Sequence, residues 1–215
     1  MRTIGVIPSR WSSVRFPGKS LAMICGKPLV RWVVEASLRA ESLDEVIVAT
    51  DDERIADAVG NSGARVVMTS PGHPSGTDRV AEAADAGDDD IVVNIQGDEP
   101  LIAPELIDAV ASKLAGDDFY DMSTACTPIR AAEDLLSPTV VKVVLDSNDG
   151  ALYFSRLPIP FRRDGEQDLS SGLYMRHIGI YGYRGAFLKK MVAEPPCLLE
   201  QTESLEQLRA MWIGG

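Results

Sequence analysis

Three cysteines in 215 residues, Cys25, Cys126 and Cys197, are too few, odd in number and without metal-ligand spacing. They exclude a disulfide framework and a cysteine-based metal site, and they point to a reducing compartment, the cytoplasm. No apolar run approaches the roughly 20 residues that a bilayer span requires, so no membrane association is expected. The N-terminal run Ile4-Gly5-Val6-Ile7 stops at Pro8-Ser9-Arg10, too early for a signal peptide. There is no Gly/Ser linker and no internal repeat, which favours one domain over the whole chain. Basic residues are also scarce: 21 Lys and Arg stand against 32 Asp and Glu, a formal net charge of −11. A field of that sign repels phosphate, so nucleic acid is not an expected partner. An anionic small molecule would need a local cationic pocket set against the field.

What is present is an alternation of short apolar strands and helices. Strands are expected at Ile4–Ile7, Val46–Ala49, Ala64–Met68 and Ile91–Ile95, with helices at Lys27–Ala40, Glu53–Val59, Asp78–Ala86 and Pro104–Leu114. Pro28 suits a first helical turn, and Thr77 or Asp78 suits a helix cap. Strands that are apolar throughout, with helices between them, indicate a parallel sheet covered on both faces. After about Met122 the rhythm changes. Strands are expected at Met122–Ile129, Val140–Leu145, Ala151–Ser155 and His177–Tyr183, with a hairpin turn at Gly150. Arg162–Gly172 reads as a polar loop, and Phe187–Val192 and Thr202–Met211 as helices. The fold class is therefore α/β, a doubly wound, mostly parallel sheet, with an α+β second half.

The loop after the first strand carries Arg10, Arg15 and Lys19 within ten residues. Ligands of doubly wound sheets sit at the carboxyl ends of the strands. Two guanidinium forks and one ammonium there suit a polyphosphate, and by themselves they suit an exposed basic loop equally well. Gly18-Lys19-Ser20 imitates the end of a P-loop, G-x-x-x-x-G-K-[ST]. The first glycine is replaced by Ser13, however, and Pro17 removes an N–H that such a nest would aim at phosphate.

Ile7-Pro8-Ser9-Arg10-Trp11-Ser12-Ser13-Val14-Arg15-Phe16-Pro17-Gly18-Lys19 resembles the signature loop of sugar-activating cytidylyltransferases, above all the 3-deoxy-manno-octulosonate (Kdo) cytidylyltransferase family. The resemblance continues in order through Ser75-Gly76-Thr77-Asp78-Arg79, Val93-Asn94-Ile95-Gln96-Gly97-Asp98-Glu99-Pro100 and Val141-Lys142-Val143-Val144. It goes on through Tyr153-Phe154-Ser155-Arg156, Arg176-His177-Ile178-Gly179-Ile180-Tyr181 and Glu203-Ser204-Leu205-Glu206-Gln207. It implies that Arg10, Arg15 and Lys19 hold the triphosphate of CTP. Pro8, Ser9 (where alanine is frequent), Ser75, Gly76 and Arg79 would complete the nucleotide site. It makes Asp98 the ligand of Mg²⁺, and Arg10, Lys19 and Asp98 the catalytic set. The sugar acid falls to Gln96, Arg156, His177, Tyr181, Glu206 and Gln207, with Arg156 facing its carboxylate.

Each motif also has a plainer use. Asp98 suits a turn and His177 a satisfied core histidine. Tyr181 suits core as well as pocket wall, and Glu206 and Gln207 suit a solvated helix face. Residues 1–120 would mainly bind CTP and 121–215 the sugar, with the second half also implied to make a homodimer. The family continues beyond the Met211-Trp212-Ile213-Gly214-Gly215 at which this chain stops, with a strand, a Val-Asp-Thr-Pro-type turn and a helix. The aspartate of that turn, a second metal ligand, has no counterpart here. Alternatives are thus a non-catalytic or truncated CTP-binding homologue, a cytidylyltransferase for a related sugar acid (8-amino-Kdo or sialic acid), and a P-loop NTPase. The P-loop alternative predicts ATP or GTP binding that survives Arg10→Ala and is lost in Lys19→Ala. The cytidylyltransferase resemblance predicts CTP binding that both substitutions weaken, and equilibrium binding of the three nucleotides to the two variants separates them.

Overall fold

The computed structural model describes residues 1–12, 16–117, 119–165 and 167–215. The chain divides into two compact units, Met1–Ser123 with Ile180–Ala193, and Thr124–Gly179 with Glu194–Gly215.

The first unit is the expected α/β layer structure. Its parallel strands are β1 (Thr3–Ser9), β4 (Glu45–Thr50), β5 (Arg65–Met68) and β6 (Ile91–Asn94), and β2 (Met23–Ile24) and β3 (Lys27–Pro28) form a separate hairpin. The order in the sheet is β5-β4-β1-β6. β1 pairs in parallel with β4 from Ile4↔Glu45 to Ser9↔Thr50, and with β6 from Thr3↔Ile91 to Val6↔Asn94. Ile47, Val48 and Ala49 are fully buried, as are Ile91, Val92 and Val93. Successive strand residues face opposite sides, so consecutive burial requires cover on both faces. Helices α1 (Leu29–Ser37), α2 (Glu53–Val59), α3 (Gly76–Ala84) and α4 (Pro104–Ala115) supply it. The strand order builds outward from β1 to β5 and then returns to the other side of β1 with β6. That places the topological switch point between β1 and β6.

The second unit uses β7 (Met122–Pro128) from Thr124 onward, α5 (Ala132–Leu136), β8 (Lys142–Leu145), β9 (Ala151–Ser155) and the first half of β10 (Met175–Arg184). β8 and β9 are antiparallel, Val143 opposite Phe154, and β8 also pairs with β10 at Met175↔Val143. The last residues of β10 belong to the first unit, where Tyr181 lies opposite Asn94 of β6, antiparallel. Helix α6 (Gly185–Ala193) follows in the first unit, and α7 (Leu198–Glu203) and α8 (Gln207–Trp212) in the second. Val143, Phe154, Leu205 and Leu208 form one small core of the second unit, and Ile129, Leu135, Val140 and Tyr174 another. No helix among the described residues is long and apolar enough to cross a membrane.

Several expectations are corrected. The helix expected from Lys27 starts at Leu29, because Lys27 and Pro28 are taken by the β2–β3 hairpin. Its turn, Cys25 and Gly26, has both φ positive, at 50° and 79°, and Pro28 precedes the helix as its cap. Neither Thr77 nor Asp78 caps α3. Ser75 does, its hydroxyl accepting from both of their backbone N–H groups. The single helix expected over Thr202–Met211 is two, broken at Ser204 with φ 52°. The polar loop Arg162–Gly172 holds a short 3-10 turn, Leu169–Ser171, with Asp168 accepting from the Ser170 N–H. Helix α5 was not expected at all, since five residues are too few to show a period.

The turn from β10 into α6 docks on the loop before β6. The Gly185 N–H donates to the Asp90 carbonyl at 2.8 Å and the Ala186 N–H to the Asp88 carbonyl at 3.1 Å. A Cβ on Gly185 would overlap the backbone carbonyl oxygen of Gly87, which cannot swing aside as a side chain does. Gly185→Ala is therefore expected to cost about 3 kcal/mol or more, read as the shift in a urea midpoint. An unchanged midpoint would show that this backbone contact is not formed.

Candidate functional site

The carboxyl ends of β1 and β6 carry the chemistry of the first unit. The main cleft there has a volume of about 650 Å³ and is lined by Pro8, Ser9, Arg10, Phe16, Lys19, Ser20, His73, Ser75, Gly76, Arg79, Gln96, Gly97 and Asp98. It brings together every residue read from the sequence as nucleotide-binding except Arg15, which lies outside the described residues. Close approach of two backbones forms its floor. A Cβ on Gly97 would lie 2.8 Å from the Pro8 carbonyl oxygen, so only glycine lets the β6 exit pass the end of β1 at this distance.

Each wall has its own local cause. Lys19 opens a 3-10 turn after Gly18, whose φ is 70°, and the turn returns the loop to the strand end. The buried hydroxyls of Ser9 and Ser20 bond at 2.6 Å and tie the loop to β1. The Lys19 ammonium pairs with Oδ2 of Asp98, the carboxylate that follows β6. The expected phosphate-binding cation and the expected metal-binding carboxylate are thus partners, and both side chains remain substantially exposed, at 38% and 46%. Ser75 Oγ donates to Asp78 Oδ2 at 2.6 Å while capping α3, and Gly76 leaves the approach to Pro8 open. Gln96 donates to Asn94 Oδ1 at 3.4 Å.

Arg79 lines the cleft, yet it is 3% exposed and its guanidinium is engaged by Asp51 Oδ2 at 3.0 Å and by the Thr69 hydroxyl. It serves as a fixed cationic wall. His73, given no role from sequence, stands in the same wall and pairs with Glu82, whose carboxylate also accepts from the Ser70 N–H. That pairing holds the Glu82 carboxyl below its usual range. The Ser-Pro-Gly-His-Pro-Ser-Gly composition marked a loop at 70–76, and nothing in it marked Glu82 as the histidine's partner.

The residues read as sugar-binding divide between the units. Gln96 and Tyr181 lie in the first, the Tyr181 ring 6.2 Å from that of Tyr183. Arg156, His177, Glu206 and Gln207 lie in the second. Arg156 is held by backbone: Nε donates to the Glu203 carbonyl at 2.7 Å, and its terminal nitrogens to those of Pro138 at 3.0 Å and Ser204 at 3.1 Å. The corner it holds leads into Glu206, at the start of α8, and the buried Gln207. Glu206 accepts from Arg209 at 3.1 Å. His177 packs edge-on against Phe154 at 5.0 Å, and Phe154 shares its core with Leu205 and Leu208. The Thr124 hydroxyl donates to the Ile178 carbonyl at 3.3 Å and lies 2.9 Å from His177 Nε2.

Residues 4–215 match the family described as Cytidylyltransferase. The 3-deoxy-manno-octulosonate cytidylyltransferase of Alcanivorax borkumensis is 52% identical over 216 residues, covering 97% of this chain and 85% of its own. That of Pelobacter propionicus is 51% identical, covering 100% of this chain and 87% of its own. A solved CMP:2-keto-3-deoxy-manno-octonic acid synthetase complexed with CTP superposes with a TM-score of 0.92 at 42% identity, over 100% of this chain and 87% of its own.

Burial pushes the pKa of His177 down to about 4, so it is neutral at pH 7. Between about pH 6.5, its ordinary value, and about 4 the unfolded chain takes up a proton that the folded chain refuses. Stability therefore falls as pH drops through that window, by about 3 kcal/mol in full. His177→Gln should flatten this part of the stability–pH profile, measured by urea unfolding from pH 7 to pH 4.5. Parallel profiles for parent and variant would contradict the burial described.

Proposed function

The chain belongs to the cytidylyltransferase family, and from that premise we propose that it transfers CMP from CTP to the anomeric hydroxyl of Kdo, releasing pyrophosphate. It is a nucleotidyltransferase, and its product would be the activated sugar acid used for lipopolysaccharide. One observation carries the reading at the level of chemistry. In a protein of net charge −11, Arg10, Lys19 and Arg79 line one cleft at the switch point of the sheet, together with the Asp98 carboxylate.

Mechanism follows from the charges that must meet. The anomeric oxygen attacks the α-phosphorus in line and pyrophosphate departs, so positioning and neutralisation supply most of the catalysis. Arg10 and Lys19 would hold the β- and γ-phosphates and stabilise the leaving pyrophosphate, with Arg15 assigned the same role. The Lys19–Asp98 pair defines the resting arrangement. An arriving triphosphate offers Lys19 a stronger partner and releases the Asp98 carboxylate. Arg79, already balanced by Asp51, gives shape and polarity without moving. Pro8, Ser9, Ser75 and Gly76 would face the nucleoside, where Gly76 leaves space for a flat ring.

Mg²⁺ suits this donor set. Among the described residues there is no cluster of three or more His, Cys, Asp or Glu that could cage an ion. One exposed carboxylate beside a phosphate site is enough for an ion that takes most of its ligands from water and substrate. Asp98 would hold it, and the ion when bound would supply charge neutralisation at the α-phosphate and a more acidic attacking hydroxyl. Gln96, Arg156, His177, Tyr181, Glu206 and Gln207 are proposed to bind the sugar acid. A cytoplasmic homodimer is the proposed working form, supported by three free cysteines and by the family resemblance.

The test is pyrophosphate release from CTP and Kdo with Mg²⁺, beside an Asp98→Ala control. Release in the parent, reduced about 100-fold or more in the control, is expected. CTP binding without Kdo-dependent release would overturn the assignment, as would release that the control leaves unchanged.

A further inference from the structure

Lys142, the first residue of β8, is fully buried and lies outside every role assigned above. Its ammonium donates to the Ser137 carbonyl at 2.9 Å, the Val140 carbonyl at 2.7 Å and the Arg156 carbonyl. Three acceptors match the three N–H donors of a charged ammonium, whereas a neutral amine has only two. Burial pushes the pKa of this lysine down, so the carbonyls keep the charge in place against its desolvation cost. A leucine or methionine would fill the same space without that cost. The lysine is thus explained by what its donors hold.

What they hold is a clamp of two cations. Lys142 fixes the backbone of Arg156, and the Arg156 guanidinium takes the carbonyls of Pro138, Glu203 and Ser204. The Glu203 carboxylate closes the clamp, accepting from the Arg156 N–H at 3.0 Å and from Ser155 Oγ at 2.7 Å. Ser137, Pro138 and Val140 belong to the turn before β8, Arg156 follows β9, and Glu203 and Ser204 end α7. Three separate pieces of chain therefore point carbonyls at two side chains. Ser204 then takes its left-handed conformation, Leu205 enters the core at 5% exposure, and Glu206 and Gln207 follow directly.

We propose that Lys142 is a positioning residue for the acceptor sugar: it fixes Arg156, and through Arg156 the corner between α7 and α8 that presents Glu206 and Gln207. This rests on the reading of the second unit as the acceptor half of the enzyme. Lys142 is closed off from solvent, and the nucleotide cleft of the first unit contains none of the clamp residues.

Lys142→Met keeps an unbranched side chain of similar reach and removes all three donors. The expected result is a KM for Kdo raised about tenfold, with kcat and the KM for CTP within about twofold. Amide hydrogen exchange of the peptide spanning residues 198–212 should quicken, while that of β1 and β6 stays unchanged. A KM for Kdo that does not move, or that rises together with the KM for CTP, overturns the proposal, because general loosening spares neither substrate. Where Lys142→Met does not fold, Glu203→Gln, which weakens the clamp at its carboxylate, must show the same split. A parent without Kdo-dependent pyrophosphate release overturns the functional reading alone. Exchange at 198–212 then decides the clamp by itself, and unchanged exchange there in the variant refutes it.

Discussion

Parallel pairing of β1 with β4 on one side and β6 on the other is the constraint from which the site follows. A strand enclosed by neighbours and covered on both faces has no room for a polar side chain along its length. Ile4, Val6, Ile47, Val48, Val92 and Val93 are accordingly at or near zero exposure. Polar chemistry is pushed to the strand ends, where the backbone leaves the sheet. Because β1 and β6 run in the same direction, Pro8-Ser9-Arg10 and Gln96-Gly97-Asp98 emerge side by side. Gly97 makes that proximity sterically possible. The switch in strand order separates the connections that follow these two strands, so a cleft opens between them.

Within the cleft, local charge works against global charge. The protein as a whole repels anions, and the cleft gathers cations from the loop after β1 and from helix α3. They differ in how they are held. Lys19 is paired with Asp98 and half exposed, so it can exchange partners. Arg79 is buried against Asp51 and Thr69 and cannot. A site that must bind and then release a polyanion benefits from both, one group that moves with the ligand and one that keeps the pocket shape.

The second unit solves a different problem. Its cores are small, a handful of residues each, and short helices such as α7 and α8 have little intrinsic stability. Cations set among carbonyls, two of them buried, replace the missing apolar area. Lys142, Arg156 and Arg209 each bind a backbone carbonyl from a separate segment of the chain, those of Arg156, Glu203 and Glu194. Such networks are directional where apolar packing is not, and direction is what a corner carrying Glu206 and Gln207 requires.

The sequence by itself determined the class of the first unit and the place of a cationic loop at the end of β1. Four apolar strands, the helices between them and a cationic loop after β1 are local signals, set by periodicity, composition and the order of short motifs. α2 from Glu53 to Val59 and β9 from Ala151 to Ser155 match the expectation residue for residue. Tertiary structure alone decided where neighbours compete for the same residues. The β2–β3 hairpin takes Lys27 and Pro28 from a helix, the left-handed Ser204 splits another, and the Ser75 hydroxyl outreaches Thr77 and Asp78 as a cap. It also decided every pairing across long separations: Lys19 with Asp98, His73 with Glu82, Arg79 with Asp51, and Lys142 with the carbonyl of Arg156. The reason is physical. Strand and helix preferences arise from interactions over a few residues and are written in the local string, whereas the partner of a charge depends on which distant segments the fold brings within a few ångströms.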